Sequence, residues 1–128
     1  MIRVLVLTND LLFGSRIQGD LSAAGNEVEL IADEARLRAR LANAEAEVGE
    51  SALPDVLVVD LADAQLDGAG VVERLAAEGA LESVKTLGFY SHVDVAARER
   101  AEQAGFDLVV PRSRMAREGA ALVSALAD

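Results

Sequence analysis

The chain contains no cysteine and no tryptophan, and only 3% of its residues are aromatic. Without cysteine there can be no disulfide, no thiol nucleophile and no thiolate metal site. Scarce aromatic side chains argue against a surface on which nucleic-acid bases stack. Basic residues are few as well: 12 Lys and Arg stand against 22 Asp and Glu, for a formal net charge of −10. Since binding to a nucleic-acid backbone needs basic patches, we expect no nucleic-acid partner.

The sequence also lacks any apolar run long enough to cross a membrane. Its first residues read directly as a strand and not as a signal peptide, so we expect no membrane contact and a cytoplasmic location. A length of 128 residues with 52% hydrophobic residues suits one domain with a substantial core. We therefore expect residues 1–128 to form a single domain without an attached output domain.

Five short apolar runs, most of them rich in β-branched residues, predict five strands. They cover residues 2–7, 27–31, 56–59, 86–90 and 108–110. The second run alternates charged and apolar residues, which is typical of a strand at the edge of a sheet. The third run is continuously apolar and follows Pro54, which indicates a central strand buried on both faces.

Apolar residues at helical spacing predict a helix after each strand. The first four predicted helical faces are Phe13, Ile17, Leu21 and Ala24; Leu37, Leu41, Ala44 and Val48; Val72, Leu75 and Ala76; and Val93, Ala97, Ala101 and Ala104. The last face consists of Met115, Leu122, Val123 and Leu126, and the loop before the third strand is Gly49–Pro54. Asp94 and Ser113 are the expected N-caps of the last two helices, and Gly25, Gly79 and Gly105 are expected to end the first, third and fourth.

Strands that alternate with helices through short connections predict an α/β fold. Right-handed crossovers then give a doubly wound, five-stranded parallel sheet of order 2-1-3-4-5. In this topology the carboxyl ends of the strands surround one pocket. Asp60 ends the central strand, so it is the first candidate for function, although a carboxylate there can also simply terminate the strand.

The spacing of Asp60, the small Ala62 and the Asp67-Gly68 pair resembles the phospho-acceptor loop of the response-regulator receiver family. The family's proline in this loop is Ala64 here. This resemblance, which covers the whole chain, implies the flavodoxin-like receiver fold and places Asp60 at the acceptor position. It also implies an acidic pair after the first strand that holds Mg²⁺, a Ser or Thr after the fourth strand that contacts the phosphoryl group, and a Lys after the fifth that neutralises it.

Several of these positions depart from the family pattern. Thr8 and Asn9 are neutral where the acidic pair is expected, and Asp10 is displaced by one residue. Mg²⁺ dehydrates reluctantly and leans on carboxylates, so we expect no metal, or weak Mg²⁺ binding at best, through Asp10, Asp60 and the backbone of Ala62. Ser91 stands at the hydroxyl position, and His92 beside it is expected to be a loop residue of the pocket.

Arg112 falls at the lysine position if the loop has no gap, whereas Pro111 does so if the loop is one residue shorter. A guanidinium can clamp a carboxylate with two parallel hydrogen bonds, so Arg112 is expected to pair with unmodified Asp60. The alternative for Arg112 is a solvated loop charge. The aromatic switch residue that the family often carries on the fifth strand is also missing, since Leu108 or Val109 stands there.

The resemblance and its departures predict a stand-alone, atypical receiver domain that is not an enzyme. It would act in signal transduction through protein–protein contacts, through the face of residues Asp94–Asp128 or as a homodimer, without conventional Mg²⁺-dependent phosphorylation. Two alternatives stay open. One is a functional phospho-acceptor or phosphorelay receiver that uses Asp60, and the other is a small flavodoxin-like enzyme or nucleotide-binding module.

Overall fold

The computed structural model describes residues 1–46 and 53–128. The prediction that Val48 extends the second helical face, and most of the predicted loop Gly49–Pro54, lie outside the described residues. None of the described helices combines the length and the apolar composition that a membrane span requires.

Five parallel strands form one sheet in the order β2-β1-β3-β4-β5, which confirms the predicted topology. The strands are β1 (Arg3–Leu7), β2 (Glu27–Ile31), β3 (Val56–Asp60), β4 (Lys85–Tyr90) and β5 (Leu108–Pro111). Every residue of β3 is buried, as its continuous apolar run predicted, whereas β2 at the edge alternates between more and less exposed residues. The hydrophobic pattern therefore places β3 at the centre of the sheet.

Five helices cover the two faces of this sheet. They are α1 (Leu11–Ala23), α2 (Glu34–Ala46), α3 (Gly68–Ala77), α4 (Val95–Ala104) and α5 (Arg112–Ala127). Alternate side chains of the strands point to opposite faces. Val56 and Val58 of β3 join the core formed with α1 and α5, whereas Leu57 and Val59 join the core formed with α2, α3 and α4. The fold is thus a doubly wound α/β sheet.

Of the two predicted N-caps, one is confirmed and the other is wrong. Asp94 caps α4 as predicted, because its Oδ1 accepts a hydrogen bond from the Ala97 N–H at 3.0 Å. The prediction that Ser113 caps α5 is wrong: the N-cap is Pro111, which has no side-chain cap, and Ser113 lies inside the first turn. Pro111 has a φ of −62° that leads directly into a helix, so α5 starts earlier.

The predicted apolar faces of α1 and α4 are each too long by one residue. Val93 precedes the cap of α4 and is 77% exposed, so it does not pack on the sheet as predicted. Ala24 is the exposed C-cap of α1. Val93 lies before the N-cap of α4, and Ala24 is the C-cap of α1. Neither residue therefore belongs to the regular helix whose apolar side faces the core.

Gly68 lets α3 begin in contact with β3. A Cβ at this position would lie 2.5 Å from Cγ1 of Val59, which is fully buried. Gly68→Ala should therefore lower the free energy of unfolding by about 1–3 kcal/mol, since the stiff valine cannot move aside. Urea denaturation measures this loss.

Gly19→Ala is the matched control for that substitution. Gly19 lies in the interior of α1, and a Cβ there has no neighbour within 4 Å. Alanine should raise the free energy of unfolding by about 0.5–1 kcal/mol through helix propensity alone. Equal effects of the two substitutions would contradict the close contact assigned to Gly68.

Candidate functional site

The carboxyl ends of β1, β3 and β5 border one open cleft. The pairing of Val59 with Leu7 sets β3 against β1, and Asp60 pairs with Phe89 of β4. The cleft has a volume of about 510 Å³. Its lining comprises Asn9, Asp10, Asp60, Ala62, Asp63, Ala64, Gln65 and Arg112. The structure therefore brings together Asp60 and three other predicted pocket residues, Asn9, Asp10 and Arg112.

Asp60 is a buried carboxylate whose two oxygens are both hydrogen-bonded. Only 3% of the residue is exposed. Its Oδ2 accepts a hydrogen bond from the Thr8 hydroxyl at 2.8 Å, and its Oδ1 accepts one from the Ala62 N–H at 2.9 Å. A carboxylate oxygen accepts hydrogen bonds, so each oxygen of Asp60 has one donor within the protein.

Thr8 lies beneath the cleft and not in its lining. It is 4% exposed, and its Oγ1 also accepts a hydrogen bond from the Asp10 N–H at 3.0 Å. One hydroxyl thus uses both its donor and its acceptor capacity. The result is a continuous chain of hydrogen bonds from the backbone at the start of α1, through Thr8, to Asp60 in the central strand.

Arg112 pairs with Asp10 and not with Asp60, so the predicted clamp between Arg112 and Asp60 is wrong. The Nη2 of Arg112 donates to Oδ2 of Asp10 at 2.7 Å. The guanidinium carbon lies 4.1 Å from the ring centroid of Phe13, within the range of a cation–π contact. The reason is the position of Asp10, one residue beyond the expected acidic pair, at the start of α1, where its carboxylate meets Arg112 of α5. Asp60 already accepts hydrogen bonds from Thr8 and Ala62.

Asp10 is also the N-cap of α1. Its Oδ1 accepts a hydrogen bond from the Phe13 N–H at 3.0 Å, while Oδ2 binds Arg112. The backbone hydrogen bond from Phe13, and then the hydrogen bond from Arg112, hold the pKa of Asp10 below its ordinary value. The side chain of Asp10 therefore both caps α1 and links α1 to α5.

Asp63 is a third carboxylate in the cleft, and sequence reasoning did not identify it. Its Oδ2 accepts a hydrogen bond from Asn9 at 3.3 Å, and its Oδ1 accepts one from the Gln65 N–H at 3.0 Å. The available signal was its place three residues after Asp60, in the same loop. Phe13 was also missed as a contact of Arg112, because it was assigned only to the core.

Besides Thr8, two predicted pocket residues, Ser91 and His92, are not part of the lining of this cleft. Ser91 follows β4 directly and is half-buried, and its carbonyl accepts a hydrogen bond from the Asp94 N–H at 2.8 Å. His92 is exposed, as expected for a loop residue. In this structure the β4 end thus contributes no side chain to the cleft around Asp60.

Within residues 1–46 and 53–128, no three side chains of the types His, Cys, Asp and Glu are grouped so that they could hold a metal ion. The three carboxylates of the cleft do not form such a group. Both carboxylate oxygens of Asp10 are already engaged, since one caps α1 and the other accepts a hydrogen bond from the Arg112 guanidinium.

No family model matches the chain, and no curated protein matches it. Solved structures do match. The Francisella response regulator 1452 receiver domain is 16% identical, with a TM-score of 0.78 over 99% of this chain and 97% of its own. The receiver domain of the TMAO respiratory system response regulator TorR is 18% identical, with a TM-score of 0.80 over 98% of this chain and 96% of its own.

A third match is the receiver domain of the sensor histidine kinase PA1611 from Pseudomonas aeruginosa, which holds a magnesium ion in its active-site cleft. It is 18% identical, with a TM-score of 0.76 over 98% of this chain and 97% of its own. At such identities, the similarity shows that the chain has the receiver-domain fold.

Asp10→Asn tests the ion pair while keeping an N-cap side chain. Both partners are roughly two-fifths exposed or less, at 34% for Asp10 and 41% for Arg112. We therefore expect a loss of at most about 1 kcal/mol at neutral pH. Because the folded pKa of Asp10 is lowered, its contribution is present above the unfolded pKa and is lost as the pH falls through the folded pKa. Urea denaturation from neutral pH to about pH 3 should show the two proteins converging below about pH 4.

The control is the same substitution in an Arg112→Gln background. There Asp10→Asn should cost less than in the wild-type chain, because its partner is already gone. An equal loss in both backgrounds, or a loss that does not change with pH, would contradict the ion pair.

Proposed function

We propose that this chain is an atypical receiver-fold signalling module that acts through protein–protein contacts, without conventional Mg²⁺-dependent phosphorylation. The observation that carries the proposal is the state of Asp60. Its carboxylate is buried and hydrogen-bonded by Thr8 and Ala62, while the cation of the cleft is bound to Asp10. Asp60 and Arg112 are therefore both engaged by the protein's own groups.

The residues of the cleft do not fit Mg²⁺. The ion needs near-octahedral oxygen ligands and usually one or two carboxylates that face it. Asp60 still has lone pairs. Beside it, however, stands Thr8 in place of the expected carboxylate, and the Thr8 hydroxyl donates a hydrogen bond to Asp60. Another carboxylate of the cleft, Asp10, is paired with a guanidinium, whose positive charge repels a divalent cation.

Phosphoryl transfer would meet the same difficulty. It depends on positioning and on neutralising the charge of the transferred group. Arg112 would have to leave both Asp10 and the face of Phe13 to reach a phosphoryl group on Asp60. Phosphorylation of Asp60 remains the competing function, and one observation favours it: Asp60 and Arg112 line the same cleft.

A binding module fits this site better than an enzyme does. The cleft holds no hydroxyl nucleophile next to a base, since neither Ser91 nor His92 lines it and Thr8 is committed to Asp60. For the partner surface, residues Asp94–Asp128, which comprise α4, β5 and α5, stay the proposed site, with a homodimer as the alternative. Two arginines of α5, Arg114 and Arg117, are exposed there, and they suit an acidic partner.

A small phosphodonor tests the proposal directly. Incubation with acetyl phosphate and millimolar Mg²⁺ should leave the intact mass unchanged, and titration with Mg²⁺ alone should leave the amide signals around Asp60 in place. The physical reason is the missing carboxylate beside Asp60 together with the engaged guanidinium.

The positive control restores the two missing charges. The double variant Thr8→Asp, Asn9→Asp should gain saturable Mg²⁺-dependent shifts near Asp60, provided that circular dichroism shows it folded. An added phosphoryl group on the unmodified chain that disappears in Asp60→Asn would overturn the proposal and establish the phospho-acceptor function.

A further inference from the structure

β2 forms one edge of the sheet, and the backbone groups of Val28 and Leu30 point outward from it. Of the described strands, only β1 pairs with β2. The Glu27 N–H donates to the carbonyl just before β1, and the Ile31 carbonyl accepts from the N–H just after β1, both at 2.9 Å. Backbone groups in a parallel ladder alternate in direction, so Glu27, Glu29 and Ile31 bond to β1. The N–H and C=O groups of Val28 and Leu30 therefore face away from the sheet.

The two edges of the sheet are protected to different degrees. Proteins blunt an exposed edge with proline, lysine or a bulge. At the other edge, β5 ends in Pro111, which has no N–H to donate. β2 contains neither proline nor lysine, and all five of its residues stay in register with β1. Among the described residues, one side chain bonds to this edge: the Gln18 Nε2 of α1 donates to the Val28 carbonyl at 3.3 Å.

The carboxylates of β2 disfavour pairing of this edge with a second copy of the chain. Glu27 and Glu29 are exposed on the face of the strand opposite to Val28 and Leu30. In a symmetric antiparallel contact, pairing Val28 with Leu30 of the second copy sets Glu29 opposite Glu29. Pairing Val28 with Val28 sets Glu27 opposite Glu29. Like charges directly opposite each other are destabilising, so a strand from another protein fits this edge better.

The same two glutamates indicate what that strand carries. Arg3 Nε donates to Oε2 of Glu27, and Arg40 Nε donates to Oε1 of Glu29, each at 3.2 Å. Each arginine thus bonds to one oxygen of its glutamate. The glutamate side chains are 57% and 51% exposed, so the second oxygen of each can be reached from solvent. Opposite charges on neighbouring strands stabilise the pairing, which favours Lys or Arg beside Glu27 and Glu29.

We infer that the edge of β2 binds an extended segment of another protein, in which basic and apolar residues alternate, as an added strand. The segment hydrogen-bonds to the backbone of Val28 and Leu30 and replaces the amide of Gln18. Its apolar side chains lie beside these two half-buried residues, and its basic side chains lie beside the glutamates. In strand addition the backbone provides affinity and the alternating side chains provide specificity. This inference rests on the proposed function as a protein-binding module, and it adds a surface at the edge opposite to β5.

A random peptide display library is the probe. Selection on the wild-type chain should enrich peptides in which basic and apolar residues alternate. One enriched peptide is then synthesised in two forms, with N-methyl groups on one or the other alternate set of its residues. Since the N–H groups of an extended strand alternate between its two edges, only one set can face β2. One methylated form should therefore lose binding, and the other should keep it.

Variants of the chain test the same contact. Val28→Pro removes an outward N–H and no hydrogen bond to β1, so it should weaken binding of the peptide by about tenfold. Val28→Thr is the matched control, since it keeps the N–H and the branched shape, and it should bind like the wild type. Gln18→Ala should bind several-fold more tightly, because no amide has to be displaced. Glu27→Gln combined with Glu29→Gln should weaken binding several-fold and reduce its dependence on salt.

The inference is overturned if no peptide is enriched, if the enriched peptides lack basic residues, or if the two methylated forms bind equally. It is also overturned if Val28→Pro, shown by circular dichroism to be folded, binds as well as Val28→Thr. Should Val28→Pro not fold, the methylated peptides decide. Amide shifts confined to α4, β5 and α5 would also contradict binding at β2. None of these outcomes affects the phosphodonor test, which depends on Asp60 and not on β2.

Discussion

The hydrogen bond from Thr8 to Asp60 is the interaction on which the rest of the site depends. A carboxylate that is 97% hidden from solvent is costly unless donors replace the water it has lost. Thr8 supplies one donor from the neighbouring strand, and the Ala62 N–H supplies the other from the following loop. With these two hydrogen bonds, both oxygens of Asp60 at the end of β3 have a donor. The end of the central strand is thus satisfied by hydrogen-bond donors from the chain itself.

A second consequence is the position of Arg112. With Asp60 satisfied, the guanidinium pairs with the next carboxylate, Asp10, and lies over the ring of Phe13. Phe13 in turn contacts Phe89 of β4, with ring centroids 5.1 Å apart. The arrangement joins the first turns of α1 and α5, which cover the same face of the sheet. An arginine that could act as a mobile neutralising charge is instead part of the packing between two helices.

The sequence predicted the fold well because its signals are local and repetitive. The continuously apolar β3, the alternating β2 and the glycines after α1, α3 and α4 each identify an element without knowledge of its neighbours. The wrong predictions concern a helix cap and a long side chain, for each of which several residues or partners were available. Ser113 has the chemistry of an N-cap, but Pro111 had already set the backbone for a helix. Arg112 lines the same cleft as two carboxylates, Asp10 and Asp60, and the sequence does not show that Thr8 donates a hydrogen bond to Asp60.

The central claim is that the hydroxyl of Thr8, and not its volume, holds Asp60. Two substitutions separate these properties. Thr8→Val keeps the methyl group and removes the donor, and it should lower the free energy of unfolding by about 1.5–3 kcal/mol, as expected for a hydrogen bond to a buried charge. Thr8→Ser keeps the donor and removes the methyl group that lies near Gly14, which should cost only about 0.8 kcal/mol. Urea denaturation at neutral pH measures both, and a serine variant that is less stable than the valine variant would contradict the account.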